Sequence, residues 1–80
     1  MLYQTIVLEL LEARPGLHTY LRRSRKLLAE MERYAADLRA AHLDRMNQGF
    51  DSSSALELAL AELEARLDQE ATRHASPDEP

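Results

Sequence analysis

Residues 15–47, PGLHTYLRRSRKLLAEMERYAADLRAAHLDRMN, decide how this chain folds. At about 100° per residue, Leu17, Leu21, Ser24, Leu28, Met31, Ala35, Leu38 and His42 step along the stretch by fours and threes, with Tyr20, Leu27, Tyr34 and Ala41 beside them. The spacing predicts one long helix over 15–47. Its apolar stripe is broader than the seam of a two-stranded coiled coil, so the helix needs cover on more than one side.

Upstream, LYQTIVLELLEA sets Leu2, Ile6, Leu10 and Ala13 against an arc of Gln4, Thr5, Glu9 and Glu12, which predicts an amphipathic helix over 2–13. RPG at 14–16 separates the two helices. Arg14 precedes a proline and is pushed out of the helical region, while Pro15 suits the first turn of the next helix. Downstream, NQGFDSSS breaks the pattern, with Gly49 suited to a helix C-cap and Ser54 and Glu57 spaced as a capping box. A third helix is predicted over 54–71, carrying Leu56, Leu60, Leu63 and Leu67. Residues 73–80 read as a flexible tail, acidic and rich in proline.

Composition agrees with an all-α fold: leucine and alanine dominate, and the chain holds one isoleucine and one valine. At roughly 1.5 Å per residue the long helix would span about 45–50 Å and the two others about 18 and 26 Å. With short connections both would fold back antiparallel on the long one, giving a single domain over 1–72. Such a layer leaves one apolar side partly covered. An 80-residue chain with no cysteine for disulfides also sits near the lower size limit for a self-sufficient core, so oligomerisation is the expected completion.

The charge of −4 is uneven: residues 1–13 carry −2, residues 14–33 carry +4 and residues 34–80 carry −6. The basic part centres on LRRSRKLL, 21–28. On a continuous helix Arg22, Arg23, Arg25 and Lys26 fall opposite Leu21, Leu27, Leu28 and Met31, as the wet face of any amphipathic helix does. Lys26 and Glu30, Arg33 and Asp37, and Glu62 and Arg66 are spaced for pairs within helices. The second reading makes Arg22, Arg23, Arg25 and Lys26 a nucleic-acid contact joined by His18, though aromatic stacking groups and a recognition-helix pair are absent from this surface.

Chemistry finds little support. His18, His42 and His74 stand on separate segments, the serines at 52–54 suit capping and turns, and the acids of the third helix lie off its leucine line. Catalytic residues, metal ligands and cofactors are therefore not expected. The longest apolar run, IVLELL at 6–11, is interrupted by Glu9 and far shorter than a membrane span, and no basic segment precedes it as in a secretion signal. The expected location is cytoplasmic, with no membrane partner.

The sequence thus reads as a non-enzymatic interaction and assembly module. Its partner is a second copy, a dimer first, or a helical surface of another protein. Its expected interface is Tyr20, Leu21, Leu28, Met31, Tyr34, Leu38, His42, Leu60 and Leu63. A nucleic-acid-associated regulator or accessory subunit is the alternative.

Overall fold

The helix read over 15–47 is two helices with a corner between them. The computed structural model describes residues 3–73 and contains α1 (Tyr3–Glu12), α2 (Pro15–Arg23), α3 (Leu27–Asn47) and α4 (Ser52–Arg73). All four are α-helices, and no strand occurs among the described residues. The three-helix count is therefore corrected to four.

Nothing in Ser24-Arg25-Lys26 is a conventional breaker, yet the backbone closes a full C-terminal motif there. The Lys26 amide donates to the Leu21 carbonyl at 2.9 Å and the Arg25 amide to that of Arg22 at 3.1 Å, with Arg25 in the left-handed region at φ 60°. Glycine is the usual occupant of that position. The Ser24 hydroxyl adds a 2.7 Å bond to the Tyr20 carbonyl, which also accepts from the Ser24 amide at 3.0 Å.

Packing accompanies the corner. Leu17 and Leu21 of α2 are 1% and 5% exposed and belong to the same core as residues of α1, α3 and α4. Burying two leucines stabilises by roughly 1.5–3 kcal/mol each. That exceeds the roughly 1–2 kcal/mol cost of one left-handed non-glycine residue.

The second turn uses the same motif with the expected residue. Phe50 donates to the Arg45 carbonyl and Gly49 to that of Met46, with Gly49 at φ 106°. The N-terminus of α4 differs from the predicted capping box. Asp51 is the cap: its Oδ1 accepts from the Ser54 amide at 3.3 Å and its carbonyl from the Ala55 amide at 2.8 Å. The aspartate lies three residues upstream of the serine, so α4 gains a turn and begins at Ser52. At its other end α4 reaches Arg73, the first residue read as tail; residues 74–80 lie outside the described residues.

At the α1–α2 junction Arg14 has left the helical region (φ −123°, ψ 74°), as its place before Pro15 requires. Its guanidinium serves two helices. Nη1 donates to the Leu10 carbonyl at the end of α1, at 2.9 Å, and Nε to Asp68 of α4, at 2.7 Å.

The core gathers Val7 and Leu11 of α1, Leu17 and Leu21 of α2, Tyr34, Ala35 and Leu38 of α3, and Ala59, Leu63 and Leu67 of α4. On α4 the buried line is Ala55, Ala59, Leu63 and Leu67. Leu56 and Leu60, predicted on the apolar line, are half-buried at its flank. The small side chains at 35, 55 and 59 allow close approach but contribute little apolar area. The molecule measures 47 × 21 × 15 Å, and its radius of gyration of 13.6 Å exceeds the roughly 11–12 Å of a compact chain of this length.

Candidate interaction surface

Two charge pairs span α3 and α4 at the surface. Arg66 donates to Asp37 at 3.1 Å and Arg45 to Glu62, so ascending α3 from 37 to 45 means descending α4 from 66 to 62. The pairs predicted within helices are replaced. Asp37 takes Arg66 in place of Arg33, Glu62 takes Arg45 in place of Arg66, and Arg33 turns back to Glu30, leaving Lys26 without that carboxylate. An extended side chain on one helix reaches its neighbour as readily as its own next turn, and spacing within one helix does not reveal which.

Tyr34 lies under this network. Arg33 Cζ is 4.8 Å and Arg66 Cζ 5.5 Å from its ring centroid, within cation–π range. Burial holds its hydroxyl pKa above the ordinary tyrosine value. The hydrogen bond to Glu30 likewise raises the pKa of Arg33.

His42 is the buried polar residue among those described, 4% exposed on α3. Tyr3 Oη of α1 lies 2.9 Å from Nδ1, and Nε2 lies 3.0 Å from the Ser52 carbonyl at the start of α4. With the proton on Nε2, the ring donates to Ser52 and accepts from the Tyr3 hydroxyl, and both nitrogens are satisfied. One imidazole thereby ties three helices. Among the described residues no three His, Asp or Glu side chains converge as metal ligands would.

The four cations of LRRSRKLL lie around the corner and not along one helix face. Arg22 and Arg23 end α2, while Arg25 and Lys26 form the turn. All four are exposed and none meets a carboxylate among the described residues, whereas Arg14, Arg33, Arg45, Arg66 and Arg73 each do. His18, one turn before Arg22, is half-buried on the same side of α2. Beside them Leu28 is 75% exposed, the most exposed large apolar side chain described.

The predicted interface is divided by the fold. Leu21, Tyr34, Leu38, His42 and Leu63 are buried within the single chain. Tyr20, Met31 and Leu60 are half-buried and Leu28 is open. A stripe broad enough for several neighbours is covered at its centre by the chain's own helices, and its edges remain. Further large apolar groups stand at the surface: Leu43, Met46, Phe50 and Leu58.

A polar recess of ≈180 Å³ lies where α2, α3 and α4 meet, bounded by Tyr20, Lys26, Glu30, Arg33, Tyr34 and Glu70. A smaller one, ≈50 Å³, lies between α3 and α4 against Leu38, Ala59 and Leu63. No helix among the described residues is long and apolar enough to cross a membrane. No family model, curated protein or solved structure matches the chain.

Proposed function

We propose that this chain is a non-enzymatic helical assembly module of the cytoplasm, working as a homo-oligomer, a dimer first, or as a small subunit of a larger complex. One observation carries the reading. The molecule is 15 Å across its narrowest dimension, and its core leaves Ile6, Leu10, Leu56 and Leu60 half-buried while Leu28 is 75% exposed. A second layer of helix on those edges removes apolar surface from water at roughly 25 cal/mol per Å². That is the contribution a chain of this size lacks on its own.

Association linked to folding makes stability depend on concentration. The thermal unfolding midpoint should rise by several degrees across a hundredfold increase in protein concentration. A midpoint independent of concentration counts against a homo-oligomer.

The four cations at the α2–α3 corner, unpaired among the described residues, favour a second reading, contact with nucleic acid. In that case replacing Arg22, Arg23 and Arg25 with alanine removes a salt-sensitive complex and leaves the oligomer intact.

A further inference from the structure

We propose that the α2–α3 corner docks on the α1–α4 flank of a second copy of this chain. This rests on the self-association reading and names the two surfaces that meet. One surface is the exposed cluster of Arg22, Arg23, Arg25 and Lys26 around Leu28.

The other surface is set by helix geometry. On α4, turning from the buried Leu63, the half-buried Leu60 comes at about 60° and the exposed Glu64 and Glu57 at about 100° and 120°. On α1, turning from the buried Val7, the half-buried Leu10 and Ile6 come about 60° and 100° round, and the exposed Glu9 about 160°. The Arg14–Asp68 ion pair brings the α1–α2 junction beside the last turns of α4, with Arg14 also bonded to the Leu10 carbonyl and Asp68 one turn beyond Glu64 on its own helix. The result is an apolar strip of Ile6, Leu10 and Leu60 bordered by Glu9, Glu57 and Glu64, and none of those three acids meets a cation among the described residues.

The two surfaces are complementary in both respects that matter. One offers cations around an apolar side chain, the other an apolar strip between carboxylates. A nucleic acid would satisfy the cations but not Leu28, and a polyanion approaching a chain of net charge −4 meets a net acidic surface outside the corner. A second copy satisfies both, and opposite charges then fix its orientation.

Charge reversal tests this on the full chain. One variant carries Arg22→Glu, Arg23→Glu and Arg25→Glu; the other carries Glu9→Lys, Glu57→Arg and Glu64→Arg. All six positions are exposed, and circular dichroism verifies that helix content is kept. The readout is light-scattering molar mass at about 50 mM and about 500 mM salt, where screening lengths differ roughly threefold, together with absorbance at 260 and 280 nm. The proposal expects wild-type association that weakens at least about tenfold at high salt, two variants that are each monomeric, and a one-to-one mixture that associates again. An oligomer unchanged by either reversal overturns the docking surfaces while leaving self-association standing. A wild-type monomer under all conditions overturns both. Excess 260 nm absorbance that is removed by salt and lost in the arginine variant, with no change in oligomeric state, assigns the corner to nucleic acid and overturns the proposal.

Discussion

The Tyr3 hydroxyl lies 2.9 Å from Nδ1 of His42, across 39 positions of sequence, and joins the first turn of α1 to the C-terminal third of α3. The bond sits where α4 also begins, because the opposite nitrogen of the same ring reaches the Ser52 carbonyl. Replacing Tyr3 with Phe keeps the ring and leaves Nδ1 without a partner beside the core. A buried acceptor left unsatisfied costs about 1–3 kcal/mol. Urea unfolding of Tyr3→Phe should show a loss in that range; an unchanged midpoint would mean that water replaces the hydroxyl at no cost.

Arg25 and Gly49 occupy equivalent positions after α2 and α3, at φ 60° and 106°. Arg25→Gly relieves a left-handed side chain at some cost in chain entropy, and should be neutral to about 1 kcal/mol more stable. Gly49→Ala should lose about 1 kcal/mol. No heavy atom lies within 4 Å of a Cβ placed at Gly49, so that loss is conformational and not steric. The two substitutions should move the urea midpoint in opposite directions, or the glycine change alone should move it.

Gly16 gives a second contrast. It lies in the first turn of α2 with open space around its missing Cβ, so Gly16→Ala should stabilise by roughly 0.5–1 kcal/mol. Thermal melts of Gly16→Ala and Gly49→Ala, run together, check the opposite signs directly.

Hydrogen bonding from the Ser54 side chain, and then its amide, holds the Asp51 carboxyl below the usual aspartate pKa. A depressed folded-state pKa contributes stability above the unfolded value, near about 3.9, and that stability is lost as pH falls through the folded value. Asn caps comparably but does not titrate here. Between about pH 5 and about pH 2 the wild type should therefore lose more stability than Asp51→Asn, measured as urea midpoints. Parallel losses would separate the cap from acid sensitivity.

Leu38 is 1% exposed at the centre of the cluster that unites the four helices. Leu38→Ala removes roughly 2–5 kcal/mol. For a core expected to supply only about 3–5 kcal/mol, that is enough to unfold the isolated chain. Circular dichroism should show the helical signal falling at room temperature and recovering at high protein concentration if association supports the fold.

The all-α class was legible because leucine and alanine repeat at helical spacing and RPG and Gly49 mark two boundaries. The break at Ser24–Lys26 was not. Its left-handed position holds arginine where glycine would have given a signal, and the burial of Leu17 and Leu21 that accompanies it is tertiary. The same limit applies to charge: Arg45 with Glu62 and Arg66 with Asp37 join helices whose proximity no spacing within one helix announces. The α4 cap was within reach, since Asp51 stands three residues before Ser54 as Ser54 stands before Glu57; the aspartate prevails and lengthens the helix. Of the predicted interface, Leu28 is the clearest surface residue. Leu21, Tyr34, Leu38, His42 and Leu63 belong to the chain's own core, because periodicity identifies an apolar face without saying whether its cover is intramolecular.

Light scattering of the purified full chain on a sizing column, at low salt and at protein concentrations spanning about two decades, addresses self-association most directly. Assembly through the edges left open by this thin helical layer predicts a mass of at least two copies of the 9.1 kDa chain, falling toward one copy on dilution. A mass of one copy at every concentration, with the helices intact, would contradict it and leave a small monomer whose half-buried leucines carry no partner of their own kind.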